Sequence, residues 1–124
     1  MKNWIITGSV LMSFAIVIGA FGAHSLKDKI TAEYLTVFET GVKYHIYHAL
    51  GMIIVSLCGL QFPSISLHIS CILFFVGIIL FSGSLYIITI TKIKWFGIIT
   101  PIGGVSFILG WLLTAYKLYQ GGTQ

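Results

Sequence analysis

The chain has 124 residues, of which 57 % are hydrophobic and only 8 % charged, whereas a soluble globular domain is about 45–50 % apolar. A domain this small cannot hide that much apolar surface in one core, so a water-soluble globule is excluded and lipid is the expected solvent. The formal charge of +4 comes from seven lysines, with no arginine, against three acids; the lysines are sparse and separated by apolar runs, which argues against a nucleic-acid partner and fits topology signals beside anionic headgroups.

A spanning helix needs about 20 apolar residues, and the backbone inside lipid must satisfy its own hydrogen bonds, which demands helices here. The first expected span is 4–23. A lysine, an apolar run and small residues near its end also describe a secretory signal peptide; the near-full length of the run and its recurring glycines and polar residues favour a membrane span. The linker 24–41 offers Thr31 as an N-cap with Glu33 in the first turn. Leu26, Ile30, Tyr34, Val37 and Phe38 recur there at helical spacing, opposite Lys27, Lys29 and Glu33. This pattern fits a short interfacial helix on the membrane surface, and equally the solvated start of the next span.

From Tyr44 to Thr91 no residue is charged. The stretch is too long for one helix, and Pro63, with Gln61, Ser64 and Ser66, supplies a turn that divides it into spans 42–61 and 66–91. Lys92 and Lys94 then precede the last span, 97–119. The expected fold is all-α and integral to the membrane: a single domain over 1–124, a four-transmembrane-helix bundle with a short interfacial helix between spans 1 and 2. Lysine counting puts both termini and the Pro63 turn outside, and the loops carrying Lys27, Lys29, Lys43, Lys92 and Lys94 in the cytoplasm. Cys58 and Cys71 lie inside apolar runs without metal or redox spacing, as small buried hydrophobes do.

Helices in lipid gain little from hiding apolar surface, so small side chains that permit close packing matter more. Ala15, Gly19 and Ala23 share a face of the first span, with Gly22 beside them. Gly51, Val55 and Gly59 do so on the second, and Ser70, Gly77, Ser84 and Thr91 recur every seven residues on the third. Ser106, Gly110 and Thr114 line the fourth. Gly83, Gly103 and Gly104 complete the expected packing positions, with Pro101 tolerated in a first helical turn.

By depth, His24, Tyr44, His48, Ser82, Ser84, Tyr86 and Thr100 all fall in the lysine-rich half of the membrane, and they form the candidate polar cluster. Polar groups within a membrane are often functional, and a histidine pair suggests proton or metal handling. A metal site wants three or four ligands, however, and no acid joins these groups inside the spans. The favoured reading is a hydrogen-bonded lock, with no catalytic residue, no metal and no cofactor. His45, about 60° off the mean direction of Tyr44 and His48 on the helical wheel, is expected to face headgroups instead. An enzyme is not expected.

"GAFGAH" at 19–24, "TGVKYHIYHAL" at 40–50, "FSGSLY" at 81–86 and "TPIGG" with "GW" at 100–111 resemble the YgdD/YwdK-like family of small bacterial inner-membrane proteins, a domain of unknown function with a small eukaryotic transmembrane relative. The resemblance covers nearly the whole chain. It implies a four-span helical protein of the plasma (inner) membrane with no assigned reaction. Tyr44 and His48 match the family's second motif, while His45 stands where a glutamine is common. The expected role is structural or accessory, in membrane integrity or a membrane complex, with the lipid bilayer and a membrane-protein partner or second copy as its associates. The alternative is a small conductor or carrier of protons, ions or a lipophile.

Overall fold

The structure, a computed structural model, describes residues 1–121, and among these it is helical throughout, without strands. Four long helices follow one another. Helix α1 is Lys2–Leu26, α2 is Ala32–Gln61, α3 is His68–Thr91 and α4 is Thr100–Gly121, entered through a 3₁₀ turn at Lys94–Ile98. Three of them, α1, α3 and α4 with its lead-in turn, are long and apolar enough to cross a membrane. Helix α2 has the length, at 30 residues, but its two histidines, three tyrosines and glutamine dilute its apolar character. The four-span expectation therefore holds at this level for three helices of four.

The separate interfacial helix does not form. Thr31 does cap a helix, its hydroxyl accepting from the Tyr34 amide at 3.4 Å, but that helix is α2, which runs from Ala32 without interruption to Gln61. The amphipathic pattern over 30–38 belongs to its solvated first turns, because no helix breaker lies between Thr31 and Gln61. Helix α2 ends where Pro63 forces the preceding Phe62 out of helical geometry, to φ −119° and ψ 75°. Helix α3 ends on Lys92, whose φ of 59° is left-handed. That turn docks on the start of α2: the Lys92 ammonium lies 4.4 Å from the centre of the Tyr34 ring, and Lys94 pairs with Glu33 at 3.6 Å.

Helix α1 packs on α2, α2 also on α3, and α3 on α4. The two middle helices thus each carry two buried faces, while α1 and α4 turn rows of large apolar side chains outward, among them Ile6, Phe14, Phe21, Ile102, Ile108 and Leu112. Such faces suit a lipid solvent. Between the helices, Ala49, Met52, Val55, Leu67, Cys71, Phe74, Ile78 and Phe107 form one core. Two helices carry a π-helical turn: α1 at Ile18–Gly22 and α3 at Ile78–Ser82. Both fall within or against the glycine motifs "GAFGAH" and "FSGSLY", and such turns are frequent at functional sites.

Candidate functional site

The polar side chains that the helices bring together lie where α2 meets α3 and α4. His48 is 5 % exposed. Its Nδ1 lies 2.8 Å from the Tyr44 carbonyl, one turn earlier in α2. A carbonyl only accepts, so Nδ1 carries the proton. Nε2 is then bare and accepts from the Trp111 indole of α4 at 3.1 Å. Both ring nitrogens are satisfied by one neutral tautomer. The ring stacks on Phe107, centroids 3.5 Å apart at 10°, and meets the edge of Phe74 at 5.4 Å.

A second node joins α2 to α3 on the other side of His48. His45 is only 4 % exposed, and its Nδ1 pairs with the Tyr86 hydroxyl at 2.9 Å. Among the described residues its Nε2 has no hydrogen-bond partner, with the Leu11 main chain of α1 the polar group alongside. Four residues earlier, the Ser82 hydroxyl of α3 donates to the Gly41 carbonyl of α2 at 2.7 Å. Ser84 pairs with Thr100 at 2.5 Å and also donates to the Phe81 carbonyl, tying α3 to the start of α4. Lower down, Ser106 of α4 donates to the Leu73 carbonyl of α3 at 2.7 Å. Ser70 keeps a buried hydroxyl without a partner among the described residues. Trp4 of α1 donates to His68 Nδ1 at 3.0 Å, joining the starts of α1 and α3.

Of the expected cluster, the structure therefore gathers His48, Ser82, Ser84, Tyr86 and Thr100. Tyr44 contributes its carbonyl and a ring packed on Phe81 at 4.7 Å, and it is 38 % exposed. His24 does not join: it is exposed near the end of α1, because that helix runs on to Leu26 and carries the imidazole past the bundle. His45, expected at the headgroups, is buried instead. The helical-wheel argument assumed one buried face, whereas α2 lies between α1 and α3 and buries two. Among the described residues no three His, Cys, Asp or Glu side chains come together in a way that could hold a metal ion.

The glycines act chiefly as sockets for rings. A Cβ on Gly22 would meet Phe38 at 2.7 Å, on Gly51 Trp111 at 2.9 Å, and on Gly110 Phe74 at 2.6 Å; on Gly77 it would run into Phe107. On Gly19 it would meet Val42 at 2.9 Å. At Gly103 the neighbour is the Phe81 main chain itself, so here two backbones touch as small residues permit in membranes. Gly104 makes only ordinary contact with Phe81, and Gly83 has open space, with nothing nearer than 4.0 Å. Gly8 and Gly41, not singled out from the sequence, are sockets too, against Ile53 and Tyr86 respectively. For the first the signal was present: Gly8, Ala15 and Gly22 recur at seven-residue steps along α1.

Comparison with known proteins places the chain beside membrane proteins without an assigned function. The family model described as "Protein of unknown function (DUF423)" matches residues 18–104. The chain is similar to the UPF0382 membrane protein YwdK of Bacillus subtilis, 48 % identical over 114 residues that cover 91 % of this chain and 93 % of the relative. It is also similar to a UPF0382 membrane protein of Staphylococcus saprophyticus, 45 % identical over 122 residues, covering 97 % and 99 %. No solved structure matches the chain.

Proposed function

As a chain that belongs to the DUF423 family, and so among membrane proteins, it invites a reading from its own geometry, and we propose that it is a four-span structural or accessory protein of the plasma membrane, performing no catalytic step. Helix α2 crosses with the other three in this reading, since His45, His48 and Ser56 of its uncharged stretch are buried in the bundle, while Tyr44, Tyr47 and Gln61 remain exposed. Lysine-rich loops lie on the cytoplasmic side, with both termini outside, as the positive-inside rule favours.

One observation carries the reading. His48, the most central ionisable group of the cluster, spends both ring nitrogens on helix-to-helix and intrahelical bonds and its faces on aromatic rings. A ring held in this tautomer cannot take up a proton at Nε2 without releasing Trp111. The serines likewise donate to carbonyls of neighbouring helices or turns. The groups thus serve to fix the bundle, which then offers its outer faces to lipid, to a second copy or to a membrane-protein partner.

Truncating His48 removes a buried ring from a packed core, a change that costs about 2–4 kcal/mol. His48→Ala is expected to lower the thermal unfolding midpoint in detergent clearly. Vesicles containing the unaltered chain are expected to show no pH- or potential-driven flux above empty vesicles. A His48→Ala protein as stable as the parent would defeat the locking role, and flux that His48→Ala abolishes would favour the conductor instead.

A further inference from the structure

We propose that the cleft between α1 and α3 holds one acyl chain of an anionic phospholipid from the leaflet on the lysine side, with the headgroup phosphate at Lys27, Lys29 and Lys92. The inference rests on the spanning arrangement proposed above and not on the locking role. The cleft has a volume of about 470 Å³, within the range of about 300–1,000 Å³ common for small-ligand pockets. Val17, Phe21 and Leu26 of α1 form one wall, Phe38 of α2 the floor, and Tyr86 and Ile90 of α3 the other wall. The lining is apolar but for Ser25, because the Tyr86 hydroxyl is turned to His45. A ligand bearing carbonyls or hydroxyls along its length would find only Ser25, next to Leu26 at the rim end, to pair with, whereas a hydrocarbon chain needs no partner.

Its dimensions and its rim both point to lipid. From Val17 to Leu26 the α1 wall rises about 14 Å at about 1.5 Å per residue, close to half of the roughly 30 Å hydrocarbon core of a bilayer. The cleft is therefore one leaflet deep. It opens to the bilayer past Val17, Phe21 and Ile90, which are 53 %, 71 % and 77 % exposed. The walls end at Leu26 and Ile90, one and two residues before Lys27 and Lys92. The rim thus carries Lys27, Lys29, Lys92 and Lys94 against only Asp28 and Glu33, of which Glu33 is engaged by Lys94. Basic pockets between spanning helices on the cytoplasmic side favour anionic headgroups for this reason. The π-helical turn Ile18–Gly22 lies in the α1 wall, and Gly22 leaves room there for the Phe38 ring that floors the cleft.

The test uses the full chain in vesicles of equal phosphatidylglycerol and phosphatidylcholine. The chain is extracted in mild detergent and its retained lipid counted by native mass spectrometry. The expected result is preferential retention of phosphatidylglycerol, with Lys27→Gln and Lys29→Gln each lowering that preference roughly fivefold. Ile90→Trp, filling the cleft from an exposed position, is expected to reduce retained lipid of either kind, while Leu112→Trp, exposed on α4, leaves it unchanged. Should Ile90→Trp unfold the chain, Val17→Trp fills the same cleft from the facing wall. Equal retention of the two lipids, a preference unmoved by the lysine pair, or retained lipid unmoved by a folded cleft-filling variant would each overturn the proposal. A chain that fails to float with the vesicles would overturn the spanning arrangement itself, which separates the two failures.

Discussion

At the scale of single residues, both histidines of "KYHIYHALG" are buried, where their spacing suggested only one would be. His48 is buried in the bundle with both ring nitrogens bonded, and His45, which the helical wheel turned outward, pairs with Tyr86 at 2.9 Å inside the bundle. Among the described residues, the Tyr86 hydroxyl is the one hydrogen-bonding partner of His45, since Nε2 has none. Tyr86→Phe would leave a buried imidazole with both nitrogens unmet. Interhelical hydrogen bonds inside membranes are worth about 0.6 kcal/mol on average and up to roughly 1.7 kcal/mol. A fully orphaned ring belongs near the upper end, so Tyr86→Phe should lower the unfolding midpoint measurably while leaving far-ultraviolet helicity unchanged. The same substitution tests the cleft by contrast, because its apolar wall is preserved and lipid retention should not fall.

The element scale is governed by what each glycine faces. Sequence reading placed Gly77 and Gly83 together as packing positions on α3, six residues apart in one motif-rich stretch. The structure separates them. A methyl at Gly77 would run into the Phe107 ring, whereas one at Gly83 meets nothing closer than 4.0 Å. Overpacking a fitted core costs about 1–3 kcal/mol, and replacing an unhindered helical glycine by alanine gains up to about 1 kcal/mol. Gly77→Ala should therefore lower the unfolding midpoint, whereas Gly83→Ala should leave it level or raise it. Equal shifts would mean that the ring-in-socket packing is wrong. The same logic explains why the glycine stripes were legible but their partners were not: a small residue announces room without saying which distant ring will fill it.

For the molecule as a whole, the open question of α2 has a direct measurement. In the four-span arrangement the linker before α2 and the Pro63 turn after it lie on opposite sides of the membrane. With Cys58 and Cys71 replaced, Lys29→Cys should react with an impermeant thiol reagent only from the cytoplasmic side and Ser64→Cys only from the other. Reaction of both from one side would make α2 a surface or re-entrant helix. Among the residues that lower its hydropathy, His45 pairs with Tyr86 of α3 and His48 accepts from Trp111 of α4. Composition, the length of the uncharged runs and the lysine spacing already determined that this chain is helical and made for lipid, because those properties depend on local sequence and on solvent alone. The same local signals marked the Thr31 cap and the Pro63 break. Which faces of α2 are buried, which rings fill which glycines, and where an apolar cleft remains beside a basic rim were decided only by the tertiary structure. Those features depend on contacts between residues some 40 to 60 positions apart, as in the His45–Tyr86 and His48–Trp111 pairs, and no local pattern records such distances.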